Sequence, residues 1–168
     1  MSNLINHGNL VSVWEKNRTK QLNRFKTILK RLSRNRPSAQ RLEEVHDAVF
    51  EQIDCLQCGN CCKTASPIFN KTDVARIAAA MGIKPSELET TYLVADPEGD
   101  LVPKTMPCPF LNGDNTCQVY EVRPKSCRGF PHTNHRDSWE RHALLAKNTF
   151  TCPAAYHIVE RISQMQGR

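Results

Sequence analysis

The sequence has few of the features that direct a chain into or across a membrane. Its longest purely apolar stretch, Ile77 to Ile83, is far too short to cross a bilayer. Residues 1–10 lack the charged-then-apolar pattern of a secretory signal, and they predict a disordered or loosely packed start. Internal repeats and low-complexity tracts are also missing. We therefore expect a cytoplasmic protein with one domain, or one domain plus an arm.

Cysteine, by contrast, is abundant, with eight residues in a chain of 168. A chain without an export signal is expected in a reducing compartment, where disulfides are rare. We therefore interpret the thiols as metal ligands or redox groups rather than as a disulfide framework.

The positive charge is concentrated in the first 50 residues. They carry the whole net charge of +6, and the remaining 118 residues balance to zero. Apolar residues recur at helical spacing, with lysines and arginines between them, at Leu22, Phe25, Leu29 and Leu32. This pattern predicts a basic amphipathic helix over residues 14–34, and Pro37 separates it from a second helix over 38–53. We predict that residues 1–53 form a basic helical arm or hairpin and that residues 54–168 form a cysteine-cluster domain.

The basic helix has two interpretations. It could bind an acidic partner, either nucleic acid or protein, or an anionic membrane surface, with Trp14 and Phe25 available to stack or insert. Alternatively, its apolar face packs on the domain and its basic face is only solvated.

The rest of the chain predicts short helices joined by long loops. Helices are expected over residues 70–82, 85–93, 138–147 and 153–164. Asn70 is the expected cap of the first of these, and Pro85 opens the next. The tight-turn residues 112–115 predict a small hairpin, whereas residues 95–107 are interpreted as a loop. The predicted fold is therefore mainly α, a small metal-stapled helical domain with one short β-hairpin and long loops.

The first cysteine cluster has the pattern C-x2-C-x2-C-C, formed by Cys55, Cys58, Cys61 and Cys62. Thiolates at this spacing can converge on one centre, because the short loops curl around it. Pairs of this kind begin many zinc sites, and three in a row resemble the start of a bacterial ferredoxin motif. Gly59 fits a tight loop that needs a positive φ. The side chain of Cys62 is expected to diverge from its neighbour and to serve a second centre or face a partner.

The second set is dispersed along the sequence at Cys108, Cys117, Cys127 and Cys152. Two of these cysteines precede proline, as does the ligand that closes a ferredoxin-type run. Cys152 stands at the predicted N-cap of the last helix, where the helix dipole favours a thiolate. Arg123 and Arg128 flank Cys127, and they are predicted to offset thiolate charge and donate hydrogen bonds to sulfur.

These motifs carry a family resemblance. The run Cys55-Leu-Gln-Cys-Gly-Asn-Cys-Cys62, then Cys108-Pro, then the block from Cys117 through Cys127 to Pro131, and finally Cys152-Pro153, resembles the CxxCxxCC family of bacterial cysteine-cluster proteins, to which zinc or iron chelation is ascribed. The resemblance covers about residues 55–156 and implies that all eight cysteines are metal ligands. One branch of the family, the flagellin lysine N-methylases, is linked to an iron–sulfur cluster. This sequence has no Gly-rich loop after a strand to bind a methyl-donor nucleotide, so methyl transfer is not expected.

Several alternatives for metal and function remain open. An iron–sulfur cluster, [4Fe–4S] by preference, and zinc in two four-cysteine sites would use the same residues. A site with an open position would use seven cysteines or fewer. The favoured function is metal binding in an undefined role. The alternatives are an iron–sulfur redox or group-transfer enzyme, and a metal-stabilised module that binds an acidic partner through the basic helix.

Overall fold

The computed structural model describes residues 4–165 and is mainly helical. Its α-helices, in chain order, are α1 (Leu4–Arg34), α2 (Ala39–Phe50), α3 (Cys55–Cys58), α4 (Asn60–Thr64), α5 (Lys71–Met81), α6 (Pro85–Tyr92), α7 (Lys125–Arg128), α8 (His142–Thr151) and α9 (Pro153–Met165). Two strands, β1 (Leu93–Ala95) and β2 (Leu101–Pro103), pair antiparallel. Short 3-10 helices cover Tyr120–Val122 and Arg136–Glu140. The predicted class, mainly α with one short hairpin, is confirmed.

The chain divides into two compact units. The helical unit comprises the chain up to Cys58 together with the chain from Pro131 onwards, and the central unit comprises Gly59–Phe130. The sequence predicts a domain boundary between residues 53 and 54, just before the cysteine motif. That boundary stays a prediction.

Long amphipathic helices build the helical unit. Helix α1 packs against α8 and α9, and α2 packs against α9. The largest side chains of the core are fully or almost fully buried: Trp14, Phe25, Leu29, Leu32, Leu42, Trp139, Leu145, Ile158 and Ile162. The apolar stripe of the basic helix is thus a packing face, because its burial removes a large apolar area from water.

One part of the basic-helix interpretation is wrong. Trp14 and Phe25 are 2% and 0% exposed, so neither ring can stack on a base or insert into a membrane. The indole Nε1 of Trp14 donates to the carbonyl oxygen of Thr149 at 3.0 Å, and the Phe25 ring meets Tyr156 edge to face at 5.0 Å. Any partner of this helix must therefore bind its polar and basic residues.

The start of the chain is more ordered than expected. Residues 1–3 lie outside the described residues, but α1 already begins at Leu4. The ring of His7 accepts a hydrogen bond from the backbone N–H of Asp54 at 3.1 Å, and Nε2 of His157 lies 2.9 Å from the carbonyl oxygen of Leu10. These bonds come from residues far along the chain, so local sequence could not reveal them.

In the central unit, local signals set the helix ends. Asn70 accepts from the backbone N–H of Asp73 while the Asp73 carboxylate accepts from that of Asn70, which completes a capping box. Helix α5 ends at Gly82 with φ 69°, and Pro85 opens α6. The core beside these helices consists of Phe69, Val74, Ile77, Ala78, Leu88, Leu93, Phe110 and Val119.

The two-stranded sheet lies where a loop was expected. Strands β1 and β2 pair around the turn at Asp96–Asp100, and a further bridge joins Phe69 to Leu101. The predicted hairpin at residues 110–120 is reduced to one isolated bridge between Leu111 and Cys117. Prolines and a glycine had favoured a loop at 95–107, but Pro103 stands at the end of a two-stranded sheet, where its missing N–H is tolerated.

Across the part of the chain that the structure describes, every helix is too short or too polar to span a bilayer.

Candidate metal centre

The thiols of the helical unit lie on helix α3 and at the start of helix α9. Cys55 and Cys58 are the two end residues of the single turn α3. Asp54 stabilises the start of this turn. Its carboxylate accepts a hydrogen bond from the backbone N–H of Leu56 at 2.9 Å, and its carbonyl oxygen accepts one from the backbone N–H of Cys58 at 3.2 Å. Cys152 directly precedes α9, and its sulfur accepts from the backbone N–H of Ala155 at 3.5 Å. The predicted position of Cys152 at the helix start is therefore confirmed.

Electrostatics link these three thiols. Burial, together with the charges of Cys55 and Cys58, raises the pKa of Cys152 to about 12, although the hydrogen bond from Ala155 opposes the shift. Desolvation therefore outweighs the helix dipole in the metal-free chain, and Cys152 is a protonated thiol at neutral pH. A bound cation would reverse this balance, since thiolate–metal bonding displaces the proton.

In the central unit, a tight backbone turn positions the adjacent pair Cys61 and Cys62. Gly59 has φ 56° and caps α4, as its place in the motif predicted. A Cβ at this position would lie 2.9 Å from Oδ1 of Asn115, so any larger residue would clash. The two sulfurs of the pair are 3.9 Å apart, which is closer than the expected divergence of neighbouring side chains.

Cys62 has a more acidic thiol than Cys108, Cys117 and Cys127. Its pKa is lowered to about 7 by the contact with the Cys61 thiol and by the charge of Lys63, although burial opposes this shift. Its carbonyl oxygen accepts from the backbone N–H of Cys108 at 2.8 Å. The turn that carries Cys62 is thus bonded directly to the segment that carries the next cysteine.

Cys108, Cys117 and Cys127 share one electrostatic environment with Cys62. Burial raises the pKa of Cys108 to about 11 and that of Cys127 to about 12, and it also raises the pKa of Cys117. The charges of Cys62, Cys108 and Cys117 each contribute to the rise in the pKa of Cys127, in addition to burial. The four thiols therefore lie close enough to repel one another as thiolates, the situation that a cation relieves.

A buried ion pair holds the segment between Cys117 and Cys127. Asp73 is 2% exposed, and its Oδ1 accepts from Nη2 of Arg76 at 2.5 Å and from the N–H of Lys125 at 3.2 Å. Arg76 in turn donates to the carbonyl oxygens of Val122 and Arg123 at 3.3 and 3.0 Å. These contacts of Asp73 could not be predicted from the sequence, because Lys125, Val122 and Arg123 are distant along the chain.

The two arginines predicted beside the thiolates differ in their surroundings. Arg123 stacks on the ring of Tyr120 at 3.9 Å, and its charge opposes the rise in the pKa of Cys117 that burial causes. Arg128 is exposed at the end of α7. The role predicted for these arginines at the sulfurs stays a prediction, with Arg123 the better placed of the two.

The structure groups the cysteines differently from their order in the sequence. Cys55, Cys58 and Cys152 belong to the helical unit, whereas Cys61, Cys62, Cys108, Cys117 and Cys127 belong to the central unit. Within residues 4–165, no three Cys, His, Asp or Glu side chains are oriented so that they could hold a metal ion as they stand. The case for a metal site therefore rests on the chemistry of the ligand atoms, which are soft thiol sulfurs grouped in the two units.

Comparison with known proteins agrees with this donor set. Residues 54–153 match the CxxCxxCC family, which carries the description "putative zinc- or iron-chelating domain". The match covers more than half of the chain, and the chain belongs to this family. No curated protein and no solved structure matches it.

Proposed function

We propose that the protein binds zinc or iron through two separate sets of thiolates. The central set is Cys62, Cys108, Cys117 and Cys127, and the helical set is Cys55, Cys58 and Cys152. The proposal is supported by the match of residues 54–153 to the zinc- or iron-chelating family and by the burial of Cys127 beside the charges of Cys62, Cys108 and Cys117. All eight cysteines remain proposed ligands, and Cys61 belongs to the unit of the central set without being assigned to it.

The central set resembles a structural zinc site. Its four thiols come from three separate segments, namely α4, the stretch containing Cys108 and Cys117, and α7. Structural zinc is held by four protein ligands of this kind, and their convergence ties loops together. Four thiolates and Zn²⁺ leave a net charge of about −2, of which the nearby Arg123 guanidinium offsets a part.

The helical set is better suited to an iron–sulfur cluster. It combines a C-x2-C turn with a Cys-Pro ligand, as ferredoxin-type motifs do. The N–H of Ala155 at the start of α9 already donates to sulfur, the kind of hydrogen bond that tunes cluster potential. We propose a cluster here, with [4Fe–4S] preferred; its three thiolates would leave the fourth iron with an open position. We place the protein in the cytoplasm, where thiols stay reduced.

The decisive experiment compares single substitutions in the two sets. Protein purified without oxygen is analysed for zinc, iron and acid-labile sulfide, alongside Cys127→Ser and Cys152→Ser. Cys127→Ser is expected to lose the zinc and keep the iron, and Cys152→Ser the reverse. Loss of the same metal from both variants would show a single centre and contradict the proposal.

Two further measurements refine the assignment. The metal that is lost from Cys61→Ser assigns this thiol to one set. Iron in a cluster gives a visible absorption band that dithionite should bleach reversibly if the centre is redox active. A colourless protein with two zinc ions per chain would rule out the cluster, and a coloured protein whose band dithionite leaves unchanged would count against a redox role.

A further inference from the structure

A groove of about 530 Å³ runs between α1 and α8 in the helical unit, far along the sequence from any cysteine except Cys152. Its lining residues are Leu22, Lys26, Thr27, Lys30, His142, Ala143, Lys147, Phe150 and Thr151. We call it the basic groove. Its volume is in the range of ligand-binding clefts, and leucine, alanine and phenylalanine give it an apolar floor.

The charge of the basic groove is of one sign. Lys26 and Lys30 lie one helical turn apart on the α1 wall, and Lys147 lies on the α8 wall. None of the lining residues is acidic, and the chain contains no Asp or Glu between Glu15 and Glu43. Among the described residues, these three lysines take part in no ion pair, whereas Arg24 on the same helix is paired with Glu160 at 2.7 Å.

The arrangement of the lysines favours an elongated ligand with several anionic groups. Two lysines are spaced one helical turn apart along one wall and a third stands on the other, an arrangement that suits several anionic groups better than a single head group such as the carboxylate of a fatty acid. An amphipathic helix presents apolar residues at i, i+3, i+4 and i+7 with acidic residues beside them, and its apolar face fits an apolar floor.

Nucleic acid fits the basic groove less well. Bases bind to proteins largely by stacking on aromatic rings. The aromatic ring of this groove, Phe150, already has the Arg18 guanidinium over it at 4.7 Å, and Trp14 is buried.

We propose that the basic groove binds an acidic amphipathic helix of a partner protein. The apolar face of that helix would lie on Leu22, Ala143 and Phe150, and its carboxylates would pair with Lys26, Lys30 and Lys147. The interaction is independent of which metal the thiols hold.

The test begins with selection of peptides from a random displayed library on the full-length, metal-loaded protein. Selected peptides should be enriched in Asp and Glu that flank apolar residues at helical spacing. A fluorescein-labelled peptide from this pool is then titrated by fluorescence anisotropy. Lys26→Glu combined with Lys30→Glu should weaken its binding about tenfold or more, because charge reversal replaces attraction with repulsion. Lys16→Glu combined with Lys20→Glu is the matched control on exposed positions of α1 outside the groove, and its affinity should change about threefold or less.

A substitution in the apolar floor of the basic groove distinguishes binding in the groove from nonspecific charge attraction. Ala143 is exposed and lines the groove, so Ala143→Trp should block it without disturbing the core and should weaken binding about tenfold. Equal losses in the two lysine pairs, selected peptides without acidic residues, or no effect of Ala143→Trp would each overturn the proposal. So would tighter lysine-dependent binding of laurate, anionic phosphatidylglycerol vesicles or single-stranded RNA than of any selected peptide.

Discussion

The two units of this protein are stabilised in different ways. The helical unit is built on long helices, α1 alone having 31 residues, and it buries both tryptophans of the chain. The longest helix of the central unit, α5, has 11 residues, and much of this unit is loop. Cys108 and Cys117 pack directly against the small core of the central unit. Metal ligation should therefore contribute most to the folding of the central unit, where the apolar core is smallest.

Removal of metal should produce the largest difference in stability between the two units. In small zinc domains, metal binding supplies about 10 kcal/mol of folding free energy. Chelation under reducing conditions should therefore speed amide hydrogen exchange across residues 59–130 about a hundredfold or more. Exchange in α1, α8 and α9 should change far less, and the fluorescence of Trp14 and Trp139 should stay near its native value. Equal acceleration of hydrogen exchange in both units would contradict the expectation that the central unit depends more strongly on metal.

A smaller effect is expected from Asp73→Asn. This change removes the carboxylate charge from the buried contact with Arg76 and weakens the bond to the N–H of Lys125, two residues before Cys127. We expect a loss of about 1–3 kcal/mol in the free energy of unfolding of the central unit. Release of metal to a colorimetric chelator should become faster in parallel.

Asp96→Asn is the matched control for this prediction. Asp96 also accepts two backbone hydrogen bonds, from Glu98 and Asp100, but it does so in the exposed turn of the β-hairpin. Metal release from this variant should equal that of the native protein. If Asp73→Asn behaves like Asp96→Asn, the ion pair does not position the segment of Cys127.

The smallest expected effect concerns acid stability of the helical unit. Burial lowers the pKa of His157, although the hydrogen bond to Leu10 opposes the shift, and burial also lowers the pKa of His46. The unfolded chain, where histidine titrates near 6.5, therefore binds protons more readily than the folded one. Stability should be complete above about pH 6.5 and should decrease as the pH falls below it, until the folded pKa is passed.

Urea unfolding followed by tryptophan fluorescence between pH 7.5 and 5 measures this dependence, because both tryptophans lie in the helical unit. His157→Gln removes the titrating ring and should flatten part of the curve, with His46 and His132, whose pKa values burial also lowers, responsible for the remainder. A slope equal to the native one in His157→Gln would contradict the assignment.

Much of the secondary structure could be predicted because its determinants are local. The capping box at Asn70 and Asp73, the stop at Gly82 and the start at Pro85 depend on residues within one turn of each other. The strands β1 and β2 could not be predicted, because β2 is supported by the distant Phe69. The early start of α1 depends in the same way on Asp54 and His157.

The sequence by itself determined the helical class, the positive φ at Gly59 and the thiol chemistry, because spacing, composition and caps act over a few residues. Tertiary structure decided which thiols share a neighbourhood, placing Cys152 in one unit with Cys55 and Cys58, and Cys62 in the other with Cys127. It also decided that Trp14 and Phe25 are core residues and that three lysines line one groove. The physical reason is that burial and charge interactions depend on distance in space, which sequence separation does not measure.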